Sequence, residues 1–385
     1  MSKEYFTENI SDEILAKLID KTIRFEKNNK TNKIKISLLK IIPAVAMIAL
    51  VIGLINLFTY FPQINVEPKG NDESNFNLID MPYDDDLMQT NENYTFLIIG
   101  KDDAGLNTDT IMLITFNIKE NKIAILNIPR DTYINMPNYT GKINGVLANG
   151  YTFVYKANND ADAALDAGIK HLENTIEYTF GVPINRHIML DLDGFKYLVD
   201  AIGGVDMEVP QDMQYNDPYQ NLYIDLKQGW QHLDGEKAEQ LIRFRKGYIN
   251  QDIGRITTQQ KFIAALISKL YKFDLNTIKS LFEFGTNYMT TNISGADFAW
   301  FSVKALQVKF DDIRVHTVAG EWIESTSGYE VYKKEIIEII NKYYNPYTRD
   351  ILESSFHIYN NDITNYNPGN IDIDGITLDN LIYSD

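Results

Sequence analysis

Residues 94–128 read YTFLIIGKDDAGLNTDTIMLITFNIKENKIAILNI, and three segments inside this stretch decide the fold class. Residues 94–100 (YTFLIIG), 110–117 (TIMLITFN) and 122–128 (KIAILNI) are rich in β-branched and aromatic side chains and are broken by Gly, Asn and Lys, as strands are. Their apolar character is nearly continuous rather than alternating, which predicts strands buried on both faces. Segments of helical periodicity at 160–179, 193–202 and 252–271 would supply the cover. The expected fold is α/β, an α/β/α layered domain with a central mixed sheet. Downstream, residues 275–285, 294–307 and 335–344 read as helices, and residues 313–319 (IRVHTVA) as an edge or late strand. Beyond Pro346 the chain is rich in Asn, Asp and Tyr without firm periodicity, so 346–385 is expected to be a partly ordered C-terminal tail with no assigned role.

Working toward the N-terminus, residues 41–66 carry no charge, and 41–61 (IIPAVAMIALVIGLINLFTYF) are long enough to cross a bilayer. Within residues 21–40, Lys21, Arg24, Lys27, Lys30, Lys33, Lys35 and Lys40 stand against the single acid Glu26; residues 61–100 carry one Lys against eight acids. By the positive-inside rule the leader 1–40 is a cytoplasmic basic tail and everything after the span is extracellular. The long leader, the long span and the missing small-x-small site disfavour a cleaved signal peptide. The expectation is a single-pass cell-membrane protein held by one N-terminal helix. Residues 62–93 are polar and acidic and read as an extracellular linker that lifts the folded part, 94–345, off the membrane.

The 385 residues include no cysteine, which excludes disulfides, thiolate metal sites and cysteine nucleophiles. A formal net charge of -17 argues against nucleic acid as a partner. The five histidines are scattered without metal-ligand spacing, and no Gly-x-Ser-x-Gly or Walker-type loop occurs.

Polar residues gather where the three strands end. Asp102 and Asp103 follow Gly100, Asp109 opens the second strand, and Pro129, Arg130, Asp131 and Thr132 close the third. In open α/β sheets ligands sit at such ends, so Asp102, Asp109, Arg130 and Asp131 are candidates for one rim. Residues 233–262 (LDGEKAEQLIRFRKGYINQDIGRITTQQKF) add Arg243, Arg245, Arg255 and Gln259. Arg243 and Arg245 share one side of an extended segment; Arg255 and Gln259 share a helix face. Guanidinium groups gathered in this way suit a di-anion such as pyrophosphate, because each fork bonds two oxygens at once. Two or three carboxylates facing them would suit Mg²⁺ bridging phosphate oxygens. A plainer reading is available for each group: Asp109 and Asp131 cap turns or helix starts, and the arginines answer an acidic surface on a solvated helix pair.

The runs LIIGKDDAGLNTDTIMLITFN, LNIPRDTYI, KINGVLANG and AIGGVDMEVP, followed by the arginine stretch, occur in the order seen in the LytR-CpsA-Psr family. The resemblance covers about residues 94–270 and continues more weakly to about 345. It implies a membrane-anchored extracellular phosphotransferase that moves an anionic glycopolymer from a polyprenyl-pyrophosphate carrier onto peptidoglycan. It further implies Asp102 and Asp109 as Mg²⁺ ligands and Arg130, Lys142, Arg243, Arg245, Arg255 and Gln259 as a pyrophosphate clamp. Arg130, Asp131, Arg243 and Arg245 form its catalytic set. Asp131 or Asp252 would take the incoming hydroxyl's proton, or Asp131 would orient Arg130, the role favoured here. The match departs from the family at two places. Asn107 stands where members usually carry Arg, and Thr258 stands where an Arg often precedes the paired glutamines Gln259 and Gln260. Both departures imply a weaker pyrophosphate grip or a differently charged substrate. The rival readings are a non-catalytic protein that holds polyprenyl-pyrophosphate glycans and, from the family's older labels, an envelope-linked transcription attenuator.

Overall fold

The computed structural model describes residues 90, 92–101, 106–220, 222–245, 247–248, 251–270, 288–360, 363 and 371–383. All of them fall within the compact unit Phe61–Asp385. The expected basic tail, the membrane span 41–61, most of the linker and the helix expected at 275–285 lie outside the described residues. Among the described residues no helix is long and apolar enough to cross a membrane.

The strand-like segments of 94–128 form the middle of the fold as β1 (Asn93–Lys101), β2 (Thr108–Asn117) and β3 (Lys122–Ile128). Each pairs antiparallel with the next. The β2–β3 turn passes through Asn121 at φ 54°, a left-handed conformation that Asn tolerates. Next come a short hairpin, β4 (Tyr133–Met136) with β5 (Tyr139–Lys142), and two helices, α1 (Val146–Asn158) and α2 (Ala161–Phe180). Asp160 caps α2 by accepting the N–H groups of Asp162 and Ala163. The two helices approach closely because glycines line their contact: a Cβ on Gly168 would lie 2.7 Å from the Leu147 carbonyl oxygen, and one on Gly150 2.8 Å from His171 Cβ. The sequence reading does not anticipate α1, whose aromatic and β-branched residues mask its periodicity.

The chain then runs through β6 (Arg186–Leu190), α3 (Leu192–Ala201), β7 (Val205–Val209), β8 (Met213–Asp217), β9 (Leu222–Leu226), β10 (Gly229–Leu233), α4 (Gly235–Arg243) and α5 (Gln251–Leu270). It continues with β11 (Thr290–Thr291), α6 (Gly295–Ala305), β12 (Ile313–Thr317), β13 (Gly320–Ile323), β14 (Gly328–Val331), α7 (Lys333–Tyr343), β15 (Ile376–Thr377) and α8 (Leu378–Tyr383).

Seven strands make one sheet in the order β11-β6-β1-β2-β3-β12-β15. β6 joins β1 and β12 joins β3 in parallel, so the sheet is mixed, and helices flank it. Ala124, Ile125 and Leu126 are buried consecutively on β3, the pattern that a strand covered on both faces produces. The main core joins Leu97, Leu113 and Leu126 of the sheet to Leu172 and Ile176 of α2 and Ile339 of α7. A second core gathers Val199, Val205, Leu226, Leu241 and Phe262 where α3, α4 and α5 meet the hairpin strands. Past Pro346 the chain takes part in the fold: Ile351, Phe356 and Ile358 are buried in the main core, and β15 pairs with β12, leaving β12 second from the edge.

Two histidines tie this core to pH. Burial holds His171 down at a pKa of about 4 and His316 likewise at about 4, the latter opposed by the negative charge of Asp372. His316 Nδ1 lies 2.8 Å from the Tyr344 hydroxyl, which is itself fully buried. Between about 4 and 6.5 the unfolded chain binds protons that the folded one refuses. Their contribution is therefore complete above about pH 6.5 and is lost as pH falls toward 4. The expected melting temperature is flat in this respect from pH 7 to 8 and declines below 6.5, and the decline is shallower in His316→Asn.

Candidate active site

The topology brings several strand ends to one rim. β6, β1, β3 and β12 are mutually co-directional through their pairings, so their carboxyl ends meet the start of the antiparallel β2 on the same side of the sheet. The rim carries Lys101, Asp109, Arg130 and Asp131, together with Asp191 just beyond β6.

A bulge aims Asp109. Gly100 pairs with Thr110 but Lys101 pairs with Thr108, so Asp109 is the extra residue on β2, set out of the ladder. Gly100 permits the close approach, since a Cβ there would lie 2.9 Å from Thr110 Cβ. Gly100→Ala is expected to push β2 away at this point and to lower turnover more than it lowers the melting temperature, which paired kinetic and thermal measurements check.

A tight turn presents the next two residues. The Thr132 N–H and hydroxyl both donate to the Pro129 carbonyl, at 2.9 and 2.6 Å, and the Asn144 N–H donates to the Arg130 carbonyl at 3.1 Å. With both backbones so held, Arg130 Nη1 bonds Asp109 Oδ1 and Arg130 Nε lies 3.8 Å from Asp131 Oδ2. Lys142, the last residue of β5, places Nζ 2.9 Å from Asp131 Oδ1. Arg245 arrives from the other part of the chain: α4 ends at Arg243, Phe244 turns extended, and Arg245 Nη2 stands 3.7 Å from Asp109 Oδ1. Three cations thus face two carboxylates. These side chains are roughly one-third to one-half exposed, so each pair adds only about 0–1 kcal/mol to stability. A cluster that stabilises so little while concentrating guanidinium and ammonium groups is suited to take an anion.

Other expected members are placed differently. Arg243 donates to Glu239 Oε1 at 2.6 Å, one turn back on α4, and Glu239 Oε2 also faces Lys196 at 3.6 Å. Gln259 Nε2 donates to the Ile242 carbonyl at 3.3 Å, so it ties α5 to the end of α4. Asp102 and the side chains of Asp252 and Arg255 lie outside the described residues. Of the two departures from the family pattern, Asn107 is exposed at the head of β2 and Thr258 is buried on α5.

Among the described residues no group of three or more His, Asp or Glu side chains could hold a metal. The residues nonetheless suit Mg²⁺, which takes one or two carboxylates and completes its shell with water and phosphate oxygens. Both arginine contacts of Asp109 use Oδ1, so Oδ2 takes part in neither.

Sequence reasoning missed two features of the rim. Glu239 stands four residues before Arg243, a spacing that announces a helical ion pair. The hairpin of β13 and β14 docks beside the turn, where the Tyr329 N–H donates to the Asp131 carbonyl at 2.8 Å; no local pattern signals this contact between distant segments.

An α/β domain with a cationic strand-end rim is the class that the fold and site define. The chain belongs to the LytR_cpsA_psr family, whose profile matches residues 61–345. It is similar to the polyisoprenyl-teichoic acid–peptidoglycan teichoic acid transferase TagV of Bacillus subtilis, at 28% identity over 48% of this chain and 45% of that protein. The TagU enzyme of the same description from Bacillus mycoides is 31% identical over 46% of this chain and 53% of its own. The chain therefore spans about half the length of the curated relatives it matches. In fold it is similar to the crystal structure of gbs0355 from Streptococcus agalactiae, with a TM-score of 0.57 and 19% identity over 71% of this chain and 96% of that one.

Proposed function

We propose that the protein is an extracellular phosphotransferase that moves an anionic glycopolymer from a polyprenyl-pyrophosphate carrier onto peptidoglycan. It would be anchored in the cell membrane by residues 41–61, with 1–40 in the cytoplasm, 62–93 as linker and an α/β/α layered domain outside. The single observation that carries this reading is that Arg130 and Arg245, more than 100 positions apart, meet at the same Asp109 oxygen. Family membership and the transferase names of TagV and TagU support the substrate class.

In this reading an acceptor hydroxyl oxygen attacks the phosphorus nearer the glycan. The bond from that phosphorus to the bridging oxygen breaks, prenyl phosphate leaves with the electron pair, and a glycan phosphodiester remains on the acceptor. Negative charge grows on the bridging and non-bridging oxygens, where Arg130, Arg245 and Lys142 act as fixed positive partners, with Arg243, Arg255 and Gln259 completing the clamp. Asp131 orients Arg130 and Lys142 through its two oxygens. The hydroxyl's proton passes to Asp131 or to Asp252. Mg²⁺, held by Asp109 and Asp102, would supply Lewis-acid neutralisation of the phosphate oxygens. Such transfer is governed by positioning and electrostatics, which is what the rim provides.

The test uses the full chain in detergent with a short prenyl-pyrophosphate glycan and soluble peptidoglycan. Prenyl phosphate release that needs Mg²⁺ and falls in Arg245→Ala is expected. Binding of the donor without release by the intact chain would instead make it a holding protein.

A further inference from the structure

Trp322 lies on β13 with 53% of its surface exposed. It is also beside the rim. Lys142 Nζ stands 4.8 Å from the centroid of its ring, and the same ammonium is 2.9 Å from Asp131. The ring is therefore separated from the Asp131 carboxylate by one lysine.

The hairpin that carries Trp322 is held firmly. Its register partner across the hairpin is Tyr329, and the Tyr329 N–H donates to the Asp131 carbonyl at 2.8 Å. Tyr329 also forms a parallel bridge with Thr132, and its hydroxyl donates to the Val318 carbonyl at 3.2 Å. Gly328 sits so close to β4 that a Cβ there would lie 3.0 Å from Tyr133 Cβ. Trp322 is thus fixed at a set distance from the residues that grip phosphate, and it is presented to solvent.

We propose that Trp322 is a sugar-binding platform, on which a pyranose ring of the substrate stacks next to the pyrophosphate-binding rim. One face of a pyranose is a patch of C–H bonds with slight positive polarity, and the indole face is broad, apolar and slightly negative. Lys142 beside the ring can bond sugar hydroxyls or an attached carboxylate while it stays tied to Asp131. This assignment rests on the proposed function, because it takes the rim to be the place where a glycan-bearing diphosphate reacts. The pyranose belongs either to the donor, next to its diphosphate, or to the acceptor strand.

Isothermal titration of the full chain in detergent separates these cases. The probes are a short prenyl pyrophosphate without sugar, the same lipid carrying an N-acetylhexosamine disaccharide, and a soluble peptidoglycan glycan strand. Trp322→Ala is expected to weaken one sugar-bearing probe by about tenfold, as loss of an aromatic anchor does. Trp322→Phe should recover most of that affinity, and the sugar-free lipid should bind both variants as it binds the parent. Loss confined to the lipid-linked disaccharide places the donor sugar on the ring; loss confined to the glycan strand places the acceptor there. If Trp322→Ala binds both sugar-bearing probes like the parent, or weakens the sugar-free lipid equally, the platform assignment is overturned. If the parent fails to bind the sugar-free lipid, the clamp reading fails instead, and the glycan strand still decides the role of Trp322.

Discussion

Arg130→Ala is expected to lower prenyl phosphate release by about 10²–10³-fold, the loss that follows removal of one fixed donor from a site of developing charge. Arg130 is the side chain that reaches both Asp109 and Asp131, bonding the first and lying 3.8 Å from the second. Its loss removes a forked donor and leaves Asp109 facing Arg245 and Asp131 facing Lys142, so the two carboxylates are less neutralised and repel an incoming diphosphate more strongly. Its ion pairs are about one-third exposed, so their share of stability is about 0–1 kcal/mol. The melting temperature of the variant should therefore stay close to that of the parent, which separates lost chemistry from lost fold. Arg130→Lys should recover part of the rate, because an ammonium restores the charge but not the planar fork. Initial rates at saturating donor, measured beside thermal melts, check all three statements. Turnover within threefold of the parent in Arg130→Ala would remove this residue from the mechanism.

The second large effect concerns stability. Asp297→Ala is expected to cost about 3–5 kcal/mol, because it strips the partner from a buried charge. Arg186 and Asp297 have side-chain exposures of 9% and 5%, and Arg186 donates to Asp297 Oδ2 through Nε at 3.2 Å and Nη2 at 3.1 Å. The pair joins the start of β6 to the first turn of α6, far apart in the chain. Asp297 also closes the start of α6, where its N–H donates to Ser294 Oγ at 3.1 Å and its carboxylate accepts the Ser294 N–H at 3.4 Å. Removal therefore also opens a capping box, worth about 1 kcal/mol. Asp297→Asn keeps the cap but loses the charge, and should fall between the two. Urea unfolding midpoints measure the order. A loss below about 1 kcal/mol for Asp297→Ala would contradict the buried-pair argument.

The sheet was legible in residues 94–128 because its central strands are apolar on both faces, and unbroken apolar runs need no partner information to be recognised. The long helices were legible for the same reason, as α2, α3 and α5 lie within a residue or so of their periodic segments. Asp109 was legible as a strand-end carboxylate, but not as a bulged residue, since the bulge exists only in the register of β2 against β1. The burial of Ile351, Phe356 and Ile358 was hidden because isolated apolar anchors in an irregular segment have no period. Trp322 was hidden for a similar reason: its meaning comes from a hairpin docked on Asp131, nearly 200 positions away. Glu239 could have been found, as its four-residue spacing from Arg243 is plain in the sequence. The general pattern is that local periodicity locates elements, whereas the site depends on pairings between segments remote in the chain.

The most direct measurement is a crystal structure of the folded chain with a short prenyl pyrophosphate and Mn²⁺ in place of Mg²⁺. The account predicts diphosphate oxygens within about 2.7–3.2 Å of the Arg130 and Arg245 guanidiniums, and anomalous signal from manganese beside Asp109. Diphosphate bound away from this rim, with the Asp109–Arg130 pair undisturbed, would contradict it.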